Sequence, residues 1–241
     1  PVLAQRRHAE GLVFALLDPA WRGPLHATPP RALPAVLPPP AEVLRPWVLP
    51  FVYERETSGQ GLFVTDLRPV VALFLRFGGL TDAHGELDTA ATQRLDRWIT
   101  GTQRVLQHHG GVLLELILGD KGSYLYAAFG AAKAHEDDTP RALRAALALR
   151  TLFDDGSPGA GAHIGMASGT LRVGGYGGRS RQSFGAQGDA VNAAARLMGL
   201  AQRGEILTSG RLRGAGAGSG AGEFALQARA PIALKGRAEP M

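Results

Sequence analysis

The chain has 241 residues, 45% hydrophobic content and a formal net charge of +5, enough for one large domain or a smaller domain with an appendage. It has no cysteine, which excludes disulfides, thiolate zinc sites and cysteine nucleophiles. No run approaches the roughly 20 apolar residues of a membrane span. Arg6, Arg7 and His8 interrupt any secretory h-region, and the scattered arginines lack interleaved aromatics, which speaks against a nucleic-acid partner.

Residues 1–65 are read as a Pro-rich linker. The stretch "TPPRALPAVLPPPAEVLRP" lacks the backbone donors that regular helix or a central strand needs. A short helical piece is expected near Glu10 to Leu17. The chain opens at Pro1 and not at Met, so it is expected to be a fragment of something longer.

Residues 66–241 carry the ordered pattern. "RPVVALFLRF" is β-branched and apolar, a buried central strand. Thr89 to His108 is an amphipathic helix with Leu95, Trp98, Ile99, Thr102, Val105 and Leu106 on one side. Val112 to Leu118 and Tyr124 to Phe129, split by "GDKGS", read as a β-hairpin. "HEDDTPRALRAALALRTLF" is a second helix, capped by Asp138 or Thr139, with Pro140 in its first turn. "AGAHIGMASGTLRVGGYGG" predicts a strand, a Gly turn and a second short strand. "GDAVNAAARLMGLAQRG" is a third helix and "EILTS" a strand. "RGAGAGSGAG" is a low-complexity loop, and "EFALQARAPIALKG" closes in short strands. The order is βαββαβ followed by αβ, a ferredoxin-like split βαβ core of the α+β class with a C-terminal αβ extension. The helices are expected on one face of the sheet.

Within the third helix, Asn192 and Arg196 stand four residues apart, so the helical period stacks them on one face. Taken alone, the pair reads either as a solvated stripe or as two groups that reach one ligand together. "GGYGGRS" falls in a predicted hairpin and not between a strand and a helix, so it is no dinucleotide or P-loop turn. The seven histidines lack metal-ligand spacing.

Four ordered stretches resemble the class III adenylate/guanylate cyclase homology domain. They are "VVALFLRFGGLTD", "GDKGSYLYAAFGAAKAHEDDTPRALRAALAL", "IGMASGTLRVGGYGGRSRQSFGAQGDAVNAAARLM" and "GEILTS", together spanning residues 66 to 210. The "DKG" insert and the "IGMASG" strand look most like the second (C2) cyclase domain of soluble two-domain adenylyl cyclases. The resemblance implies head-to-tail pairing with a first cyclase homology domain, with each active site at the interface. It also implies ATP as substrate, cyclic AMP and pyrophosphate as products, two Mg²⁺ or Mn²⁺ ions on aspartates of one domain, and a cytoplasmic location. The other domain supplies an Asn and an Arg, which match Asn192 and Arg196 here.

The departures are specific. Where the family carries its first metal Asp, this sequence has Arg76. Counting back from Phe129, the second falls on Ser123; a shift of the hairpin alignment would bring in Asp120 instead. An arginine repels a hard cation, so the domain is expected to hold no metal of its own, and Arg76 is read either as half of a plain ion pair with a carboxylate or, with Ser123, as a pseudo-symmetric anion site. The base-reading positions look like Glu115 and Gly185. The readings that follow are half of a composite adenylyl cyclase, inactive alone, or an inactive module that pairs with and regulates a partner.

Overall fold

The computed structural model describes residues 6–8, 11–13, 39–59, 65–80, 89–119, 122–156, 160–178, 181–215 and 224–229. The chain divides into two compact units, Pro1–Trp47 and Val48–Met241.

In the first unit, β1 (Arg6–His8) pairs antiparallel with β2 (Gly11–Val13). The helix expected near Glu10 to Leu17 is therefore a strand over Gly11–Val13. Helix α1 (Ala41–Leu44) forms inside the Pro-rich stretch, where no helix is expected; Pro40 sits at its N-cap, the end of a helix where a missing N–H costs least.

The second unit begins with α2 (Pro50–Thr57), whose Phe51 packs edge-on against Phe184 at 4.7 Å between ring centroids. The sheet and its helices follow as β3 (Asp66–Phe77), α3 (Thr89–His109), β4 (Gly111–Ile117), β5 (Ser123–Phe129), α4 (Asp138–Leu152), β6 (Ala162–Gly178), β7 (Arg181–Gln187), α5 (Asp189–Leu200), β8 (Ile206–Thr208) and α6 (Gly210–Ala215). The sheet order is β4-β5-β3-β6-β7, with β8 parallel to β6. This is the βαββαβ core with its αβ extension.

Central strand β3 explains the continuous apolar run in the sequence. Val70 to Leu75 are all buried, because the strand is covered on both faces. Val71, Leu73, Leu75 and Phe77 point to α3 and α4, where Phe77, Trp98 and Phe153 meet with centroids 4.9–5.8 Å apart. Val70, Ala72 and Phe74 point the other way, to α5. The helices thus lie on both faces, not one, since the alanine-rich side of α5 closes the second face.

Four further expectations change. "AGAHIGMASGTLRVGGYGG" holds no turn: β6 runs unbroken for 17 residues through Gly165, Gly169 and Gly174. The N-cap of α4 is Asp137, without a side-chain cap bond, while Asp138 Oδ2 accepts from the His135 amide. Arg213 to Ala215, expected as loop, belong to α6. Phe224 to Arg229, expected as strand, are irregular.

Candidate functional site

Helix α5 buries Ala190, Ala193, Ala194 and Leu197 against the sheet. Val191, Ala195 and Met198 pack at its margin and are half-buried. Asn192 is exposed and Arg196 half-buried, one turn apart on the outer side. Among the described residues neither side chain has a hydrogen bond or ion pair. What fixes α5 is β6 beneath it. A Cβ at Gly165 would lie 2.1 Å from the Met198 amide nitrogen and 2.2 Å from the Ala194 carbonyl oxygen. Four residues on, a Cβ at Gly169 would meet the Ala190 methyl at 3.1 Å. Helix backbone therefore rests on strand backbone, and only glycine permits that approach.

Glu115 and Gly185 lie on β4 and β7, at opposite edges of the sheet order. The β4–β5 register shifts between Leu113 and Glu115, which sets Glu115 opposite Tyr126. Cross-strand partners share a face, so this bulge aims Glu115 to the Tyr126 side. Tyr126 is buried, stacks on Phe74 at 4.6 Å with ring planes 8° apart, and donates its hydroxyl to the Ala186 carbonyl at 3.0 Å. Burial first, then the charges of Glu115 and Tyr176, push the Tyr126 phenol well above the ordinary tyrosine value, so it stays a donor. At Gly185 the Tyr176 ring lies 2.7 Å from where a Cβ would sit. Nothing in the sequence order pointed to Tyr126, because its partner is 60 residues away.

Arg76 pairs across the sheet with Tyr124 and with His163. Its Nη2 lies 3.1 Å from His163 Nδ1, and that nitrogen is 2.7 Å from the Ala201 carbonyl oxygen. A carbonyl only accepts, so Nδ1 carries the proton, and the guanidinium keeps its own donors. Ser123 pairs with Phe77, so its side chain leaves the sheet on the face opposite to Arg76. The structure does not bring Arg76 and Ser123 together. Asp120 lies outside the described residues. The strand position carries a guanidinium, which repels a hard cation and offers it no oxygen ligand.

The βαββαβ sheet with α5 laid on its second face matches the fold of solved nucleotidyl cyclases. Among solved structures, the chain is similar to the guanylyl cyclase Cya2 at 24% identity and TM-score 0.63, over 73% of this chain and 90% of that one. It is similar to the adenylyl cyclase CyaB from P. aeruginosa at 22% identity and TM-score 0.63, over 73% and 92%. It also matches the guanylate cyclase domain of RhGC from Catenaria anguillulae, solved with GTP, at 20% identity and TM-score 0.61, over 72% and 93%. No family model and no curated protein matches the sequence. No helix among the described residues is long and apolar enough to cross a membrane.

Proposed function

We propose that this chain is the second half of a composite class III adenylyl cyclase, converting ATP to cyclic AMP and pyrophosphate together with a partner cyclase homology domain. The observation that carries the reading is the outer side of α5. Asn192 and Arg196 stand one turn apart there, without partners among the described residues, on a helix whose other side rests on strand backbone. A helix held this way fixes the backbone from which the two polar groups reach whatever docks against it.

The chemistry assigned to this chain follows from those groups. As the ribose 3′-hydroxyl attacks the α-phosphorus, negative charge grows on the phosphoryl oxygens, and pyrophosphate departs. The Arg196 guanidinium, already in place, stabilises that charge without reorganising, a contribution on the order of 10²–10³ in rate. Asn192 orients the ribose. The divalent cations, Mg²⁺ or Mn²⁺, are assigned to carboxylates of the partner, since Arg76 stands where this domain would need one. A cytoplasmic location accompanies the reading, because ATP is the substrate. One observation favours a regulatory module instead: Gly185 offers a base only its backbone.

The test is reconstitution. The chain is mixed with a cyclase domain that carries both metal aspartates and has its own Arg of this pair removed. Cyclic AMP formation by the mixture, with neither component active alone, is the expected outcome. Activity of this chain alone, or an inactive mixture that still forms a stable complex, contradicts the proposal; the second result supports the regulatory module.

A further inference from the structure

We infer that Arg55 and Arg68 form a binding site for a small oxyanion of the phosphate class, and that the bound anion clamps α2 to the sheet. The site is a cavity of about 210 Å³, below the roughly 300 Å³ at which pockets begin to enclose a whole organic ligand. Its walls come from α2, from the start of β3 and from the β6–β7 hairpin. None of its residues belongs to the pair on α5, so the site stands whether or not the function proposed above holds.

Strand alternation brings Arg68 here. Asp66, Arg68 and Val70 share one side of β3, and Val70 is buried on the α5 face. Asp66 pairs with Val173 and Arg68 with Leu171, both in the same apolar cluster. Gly174 admits the chain at this point, since a Cβ there would lie 2.9 Å from Thr65 Cα. Arg55 arrives from α2 as the second cation on the wall, and its Nε is shut off from water. One turn earlier, Phe51 seats the helix on Phe184, which also lines the cavity.

The charges of the wall do not cancel: it carries two guanidinium groups and one carboxylate. Glu54 and Glu56 of α2 are exposed, and neither lines this cavity. Arg68 gives its Nε to Asp66 at 3.0 Å, and among the described residues its two Nη nitrogens have no hydrogen bond. The rest of that fork is left for an oxyanion, whose paired oxygens it matches. Like charges brought together away from water repel, and α2 has no buried residue to hold it against that force. An anion between the two arginines turns the repulsion into a bridge.

The probe is inorganic phosphate, titrated calorimetrically into the whole chain in a chloride buffer. The wild type should bind one equivalent. Arg55→Ala and Arg68→Ala should each weaken binding by about tenfold or more, the worth of hydrogen bonds to a charged group. Arg68→Lys should recover only part of the loss, since a point charge lacks the fork. Arg104→Ala, which removes an exposed arginine outside the cavity, should bind like the wild type. Amide hydrogen exchange in α2 should slow when phosphate is added to the wild type and stay unchanged when it is added to Arg68→Ala. Adenosine monophosphate in a parallel titration should bind no tighter than phosphate, because the cavity has no room for base and sugar. No binding by the wild type, equal weakening in Arg104→Ala, α2 exchange that ignores phosphate, or tighter binding of the nucleotide each overturns the inference.

Discussion

Replacing Gly165 by alanine probes the contact that orients the site. Strand glycine costs roughly 0.5–1 kcal/mol relative to alanine through backbone entropy, so at a free position the change would stabilise. At Gly165 the added Cβ would sit 2.1 Å from Met198 N, 2.2 Å from Ala194 O and 2.8 Å from Leu197 C. Non-bonded heavy atoms rest at about 3.5 Å, so α5 would have to retreat by roughly 1.4 Å. These are backbone atoms and cannot turn aside into another rotamer. The cost should reach the upper end of the range for overpacking, about 3 kcal/mol, a fall in Tm on the order of 5–10 °C. Arg196 and Asn192 ride on the displaced turns, and a shift of about 1 Å in a positioning group costs on the order of 10² in rate. Gly199→Ala, on the same helix with nothing within 4 Å of its Cβ, is the control and should stabilise slightly. Melting curves of the two variants beside the wild type decide it. A Gly165→Ala protein that melts at or above the wild type refutes the packing argument.

Gly111→Ala drives a Cβ to 2.6 Å from the fully buried Phe129 ring and should destabilise by about 1–3 kcal/mol in the same melts. Gly185→Ala should cost less than about 1 kcal/mol, because the exposed Tyr176 ring can swing aside; a larger loss would mean that the ring is held. His109 lies below its ordinary value of 6.5 through burial and then the positive neighbours His108, Arg144 and Arg141. The unfolded chain therefore binds the proton more readily, so this contribution is full above pH 6.5 and is lost as the pH falls through the lower folded value. Denaturant titrations across that window should show a shallower acid loss in His109→Gln than in the wild type; identical slopes would contradict it.

How much of this was legible in the sequence depended on the range of the signal. The buried strand at Val70 to Phe77 and the three long helices follow from local periodicity, and each appears within a few residues of its expected bounds. Asn192 and Arg196 sharing one side of α5 follows from the 3.6-residue period alone. The glycines were harder. In sequence, Gly165 and Gly169 look like turn residues, whereas in the fold they admit a helix backbone, a demand set by a segment some 30 residues later. The same long-range demand put α5 on the second face of the sheet. The face of Glu115 was hidden because a bulge decides it, and the bond from Tyr126 to Ala186 because it spans 60 residues and starts from a tyrosine that carries no motif. The opposite orientations of Arg76 and Ser123 depend on a register that a gapped hairpin does not reveal.

The central claim is that Arg196 acts on the transition state of a partner's site. It is tested most directly by steady-state cyclic AMP formation in the reconstituted pair, comparing the wild type with Arg196→Ala and Arg196→Lys. A donor that gains strength only as charge develops should lower kcat by on the order of 10² on removal, with little change in KM and an unchanged melting temperature. Lysine should restore only part of the rate, since a point charge lacks the planar fork. Wild-type kcat in Arg196→Ala, in a pair that a partner aspartate mutation silences, would contradict the account.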